Sequence, residues 1–180
     1  MNRRYPSTMR NKYVVSAIMQ PVEYYQQIQM SESKIARTDW DAPNRLIVTR
    51  ISGDMDKEDV IRWEKSLYEA LDSIQDGSTF KIFVNLHGFT AVNLDAHKHF
   101  RSIIPLTLAD YGWKVGYVTM FGEEASGLVL SNKRNIRCIA AVHCHQDATK
   151  IEKYESLYSS PNERFFTDPG EAEAWIRGVA

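Results

Sequence analysis

A chain of 180 residues with 25% charged side chains and a net charge of −1 has the make-up of one globular domain, long enough to bury about 70% of the surface its unfolded form exposes. No apolar run approaches the ~20 residues that a membrane-spanning helix needs, and the near-zero charge excludes a general binder of nucleic acid or of membrane surfaces. The charge is unevenly placed: Arg3, Arg4, Arg10 and Lys12 stand in residues 1–12 without an acid, which leaves −5 on the rest.

Residues 1–20 therefore read as a flexible basic arm and residues 21–180 as the folded domain. The apolar run 13–19 is followed by Gln20 and Pro21 with no small-x-small cleavage site, so it does not read as a secretory signal. Residues 24–38 alternate in part and suggest one or two edge strands, and 39–44, with two Asp, a Pro and an Asn, a turn. A β-branched strand is expected over 45–51, closed by Ser52 and Gly53. Asp56 then caps a helix whose apolar stripe is Val60, Trp63, Leu67, Ala70, Leu71 and Ile74.

The next strand, 80–86, carries Ile82, Val84 and Leu86 on one side and Phe83 and Asn85 on the other. A turn at Gly88 leads to a helix starting near Asn93, in which Pro105 should kink or split the chain. Few charges interrupt 113–121, as expected of a strand covered on both faces. A helix is expected from Gly122–Glu124 to about Arg134, a strand over 136–144, a helix over 147–159 and a short strand over 163–166. Asp168, Pro169 and Glu171 open a last helix. Such alternation predicts an α/β fold with a mostly parallel sheet, an antiparallel N-terminal edge strand and helices packed on it.

Cys138 and Cys144 share one expected strand and stand ~20 Å apart, beyond the ~7 Å a disulfide allows. Two free thiols suit a reducing, cytoplasmic setting.

Four stretches in order resemble the STAS superfamily, in its SpoIIAA-like branch. They are a strand ending at Gly53 before the first helix, Phe83-Val84-Asn85-Leu86-His87-Gly88, Trp113 leading into an apolar run that ends at Gly122, and a close with Phe165, Phe166, Glu171, Ala172, Trp175 and Ile176. The resemblance covers residues 45–178 and implies a STAS-like domain acting as a non-catalytic binding or regulatory module. In that family a kinase phosphorylates a Ser that follows an Asp at the start of the second helix. The matching positions here are Asn93-Leu94-Asp95, which lack the hydroxyl, so the resemblance implies the location of the switch without its chemistry.

The expected contact surface is the strand–helix junction of Asn85, His87, Thr90, Asn93, Asp95 and His97. Thr90, the one hydroxyl in its loop, reads as a kinase target or as a turn residue bonded to its own backbone, and Asp95 as a mimic of the permanently charged state or as a plain first-turn acid. The five histidines all fall at the carboxyl edge of the expected parallel strands, where α/β sheets bind ligands. Three of them, His87, His143 and His145, could hold a metal with one position open to water; the competing reading is a solvated rim. His97 and His99, two apart on a helix, point different ways. Phe89, Phe100, Tyr111, Trp113 and Phe121 suit either a core or an apolar pocket, the latter in the manner of lipid-carrying Sec14-type domains. No nucleophile elbow or phosphate loop is present, and Cys144 reads as a buried structural thiol. The expectation is thus no catalytic residue, no cofactor and no nucleic acid. The partner is a protein, with a homodimer among the options, or a small apolar ligand; a histidine-rim metalloenzyme is the further alternative.

Overall fold

The structure, a computed structural model, describes residues 34–121 and 127–180. The basic arm, the alternating stretch up to residue 33 and the start of the expected helix at 122–126 lie outside the described residues. Strand β1 (Ile35–Asp41) runs antiparallel to β2 (Leu46–Met55), with Ile35 opposite Ser52 and Asp41 opposite Leu46. It extends into the Asp-rich stretch expected to turn, because the ladder with β2 continues and Trp40 packs on the core. A 3-10 turn, Ala42–Asn44, makes the connection instead. β2 likewise runs through Ser52 and Gly53. There it exchanges its partner β1 for a short strand, β4 (Phe89–Ala91), with Gly53 opposite Phe89.

Strands β3 (Thr79–Asn85), β5 (Arg137–Cys144) and β6 (Glu163–Phe166) complete a six-stranded sheet in the order β1-β2-β3-β5-β6, with β4 beside β2. Among these described strands every ladder except β1–β2 is parallel. The fold is therefore α/β, with a mostly parallel sheet and an antiparallel edge pair. Helices α1 (Lys57–Asp72) and α2 (Leu94–Ala109) pack with the larger core cluster, which takes Ile82 and Val84 from β3. Helix α4 (Pro169–Gly178) covers the other face through Ala172 and Ile176, against Phe83 and Val142. The remaining helix, α3 (Ala148–Tyr158), lies beside β6. Among the described residues no helix is long and apolar enough to cross a membrane.

The helix starts follow their sequence signals. Asp56, Asn93, Asp147 and Asp168 each accept a backbone N–H from three residues on. Pro105 sits inside α2 without splitting it. Both cysteines are free and buried on β5.

Two expected elements do not form. Residues 113–121 form no strand; they hold a 3-10 turn, Gly116–Phe121, and β3 pairs directly with β5. The Trp113 N–H returns to the Leu108 carbonyl (2.9 Å), and Val115 and Val118 are buried in the core. An apolar run satisfies burial equally well as a strand or as a wrapped loop, so periodicity does not separate the two. The helix expected up to Arg134 is also absent among the described residues 127–135, which hold only the 3-10 turn Lys133–Asn135. The chain there is held by a bridge between Tyr111 and Asn132.

Asp59 in α1 is buried between Lys34 (2.6 Å) and Arg62. Burial raises its carboxyl, but the Lys34 ammonium and the Asp56 backbone N–H outweigh this and hold it below the ordinary carboxylate range. Its stabilising contribution is therefore complete above the unfolded value of ~3.9 and is lost as pH falls through the lower folded value. Urea titrations of Asp59→Asn should show a shallower acid limb than the parent; parallel limbs exclude this contribution.

Gly88, with φ at 85°, lets the turn after β3 pass Ser52: a Cβ there would lie 2.4 Å from the Ser52 Oγ. Gly88→Ala should cost about 1–3 kcal/mol in urea unfolding. Ser52→Gly in the same chain should recover only the steric part and leave the backbone strain.

Candidate functional site

The carboxyl ends of the parallel strands β2, β3, β5 and β6 share one edge. At that edge the turn after β3 is tied to the loop after β5. The Asn85 Oδ1 accepts from the His87 N–H (3.1 Å), and Gln146 accepts from the Gly88 N–H (2.8 Å). Asn85, expected at the contact surface, is buried at 7% exposure and does this internal work. His87, Thr90, Asn93, Asp95 and His97 are exposed. The Asn93 Oδ1 caps α2 through the Ala96 N–H (2.9 Å), and Asp95 is an acid in the first turn. Between them Val92 and Leu94 are 51% and 64% exposed.

A cavity of about 240 Å³ opens beside this junction. Its walls come from α2, the 3-10 turn 116–121, β5, α3 and β6. Ile104, Cys144, Ile151 and Phe165 are buried and form its depth, while His97, Met120 and Lys150 are exposed at its mouth. Phe100, Tyr117 and Tyr154 supply further ring surface. The rings lock one another: Tyr117 stacks on Tyr154 (centroids 5.6 Å), and Tyr154 meets Phe165 edge-on (5.7 Å).

Behind this wall lies a buried polar pair. His143 stacks on Phe165 (5.0 Å) and meets Tyr117 edge-on (5.3 Å). Its Nε2 is 3.0 Å from the Glu163 Oε1, and the other oxygen, Oε2, accepts from the Gly116 N–H (3.0 Å). Facing an ionised carboxylate, which only accepts, the Nε2 is the donor of this bond. Both side chains are almost fully buried, at 6% and 4% exposure. The backbone reaches Glu163 because residue 116 is glycine: a Cβ there would lie 2.6 Å from the Tyr158 carbonyl oxygen. Burial, reinforced by Glu163, pushes the Tyr117 phenol up. Burial also lowers His145, helped by Lys150.

The expected metal trio is not assembled. Among the described residues no three His, Cys, Asp or Glu side chains are placed to hold a metal ion. His143 uses Nε2 on Glu163, and the His145 Nδ1 accepts from the Asp147 N–H (3.0 Å). His87 is exposed and is not part of the cavity wall. His97 and His99 do diverge: His97 lines the cavity, while the His99 Nε2 lies 2.8 Å from Glu64 on α1. The Cys144 thiol is buried, which pushes it up to about 11, so it is no activated nucleophile.

Of the five aromatic residues expected at a pocket, Phe100 lines the cavity. Phe89 and Tyr111 are in the core, Trp113 packs against it, and the Phe121 side chain lies outside the described residues. Part of the actual lining was legible in another form: Lys150 and Tyr154 stand four apart on one face of α3 and line the cavity, and on β6 the lining Phe165 alternates with Glu163 behind it. Comparison of the chain with protein-family models, curated proteins and solved structures found no match.

Replacing Glu163 by Leu strands a buried imidazole N–H and a backbone N–H. Glu163→Leu should cost about 2–4 kcal/mol in urea unfolding, and adding His143→Leu should restore part of it. A double-mutant cycle with coupling under about 0.5 kcal/mol would mean that the two side chains act independently.

Proposed function

We propose that this domain is a small-molecule-binding regulatory module of STAS-like architecture, with the ring-walled cavity as its ligand site and the α2 start as its signalling surface. One observation carries the reading: an apolar, aromatic-lined cavity at the carboxyl edge of a parallel sheet, the place where such sheets take ligands. Its size selects among occupants. An apolar cavity of roughly 150 Å³ accepts benzene, so about 240 Å³ suits one or two fused rings. It is smaller than the roughly 300–1,000 Å³ of pockets for drug-sized molecules, which disfavours a long-chain lipid cargo. The buried, protonated thiol of Cys144 and the internally satisfied His143–Glu163 pair fit binding better than catalysis.

The protein-contact reading of the junction is kept within this proposal for a specific reason. Val92 and Leu94 expose apolar side chains between Thr90, Asn93, Asp95 and His97, a composition suited to a protein partner. Helix α2 belongs to both sites: Leu94 and Asp95 face solvent, while His97, Phe100 and Ile104 line the cavity. A ligand that reorders α2 therefore alters the contact surface.

Ligand-observed NMR with a library of one- and two-ring fragments tests the site. Hits should share one competitive site with dissociation constants of roughly 10 μM to 1 mM. Ile104→Trp, placed in the depth of the cavity, should abolish binding while the circular dichroism spectrum stays native. Fragments that bind Ile104→Trp as well as the parent would sink the reading.

A further inference from the structure

We infer that the ligand is a small aromatic anion, its ring buried among Phe100, Tyr154 and Phe165 and its carboxylate-like group held at the mouth by Lys150. The inference rests on the ligand-site reading above and adds the chemical class.

The argument is one of sign and polarity. Among the described residues that line the cavity there is no carboxylate, although the chain holds 23 acids against 22 Lys and Arg. The ionisable side chains on the wall instead include Lys150, Arg101 and three histidines. They come from different elements. His97 and Arg101 stand four apart on one face of α2, His145 follows β5, and Lys150 lies in the first turn of α3. Glu163 is turned to His143 and the Gly116 N–H, and Asp147, whose charge also reaches Lys150 and His145, caps α3 through the Lys150 backbone N–H (3.1 Å) and does not line the cavity.

The basic groups are also correctly placed along the depth of the site. The bottom is apolar, with Ile104, Ile151 and Phe165 buried, whereas Lys150 is exposed and its ammonium lies 5.6 Å from the centroid of the Tyr154 ring. A flat ring entering along Tyr154 thus brings a terminal anion to Lys150. A charge-assisted hydrogen bond there is stronger than a neutral one. A neutral ring of the same shape forgoes it, and a cationic ring meets like charge.

Isothermal titration calorimetry with three probes of one shape tests this: 2-naphthoate, 2-naphthylmethanol and 2-naphthylmethylamine. Naphthoate should bind at least about tenfold more tightly than the alcohol, with the amine weakest. Lys150→Met should reduce naphthoate affinity about tenfold, close to 1.4 kcal/mol, and leave the alcohol unchanged. An alcohol that matches naphthoate overturns the anion inference and leaves the ligand site standing. Equal losses for both probes in Lys150→Met also overturn it, since the lysine then acts through packing. No binding by any of the three overturns both readings.

Discussion

The carboxylate of Glu163 is the group on which the carboxyl edge of the sheet depends. Removing a carboxylate from water costs several kcal/mol unless donors replace the lost solvation. Here the donors are the His143 Nε2 on β5 and the Gly116 N–H, from a segment 47 residues earlier in the chain. One side chain therefore joins β6, β5 and the 3-10 turn. The turn is drawn against the end of the sheet, and its Tyr117 ring becomes part of the wall shared with Tyr154 and Phe165. The cavity follows from this polar anchor together with the glycine that admits it.

Other buried polar groups pin the layers in the same way. The Trp63 indole N–H donates to the Thr49 Oγ1 (2.7 Å), which is itself bonded to Thr38 (2.7 Å), so α1, β2 and β1 share one short network. On the opposite face the Lys81 ammonium donates to the Val179 carbonyl just past α4 (2.6 Å). Each arrangement satisfies a group whose burial would otherwise cost more than the packing returns. The sheet is thereby clamped on both faces, and its carboxyl edge is left to the junction and the cavity.

At that edge the two halves of the proposed function meet in one helix. α2 starts on the solvent side with Leu94 and Asp95 and passes within two turns to His97 and Phe100 at the cavity. The turn before it is tied through Gly88 and Gln146 to the loop that carries His145. In the proposed function, a ligand acts on the contact surface only through a difference in its affinity for two positions of this helix.

Local signals in the chain were enough for the α/β class, the mostly parallel sheet with its antiparallel edge, the four helix starts, of which Asp56 and Asp168 were legible as caps, and the unpaired cysteines. Each of these depends on spacing within a few residues. They did not reach 113–121, where an apolar run served as a wrapped turn, nor the separation of the metal trio: His143 turned to Glu163, 20 residues on, His145 took the nearby Asp147 N–H, and His87 stayed exposed. The turn at Gly88 and the helix start at Asn93 were readable because caps and turns are local. The cavity was not, because it required Gly116, His143 and Glu163 to converge. That convergence is set by a buried carboxylate seeking two donors, a demand that sequence spacing does not express and only the tertiary structure satisfies.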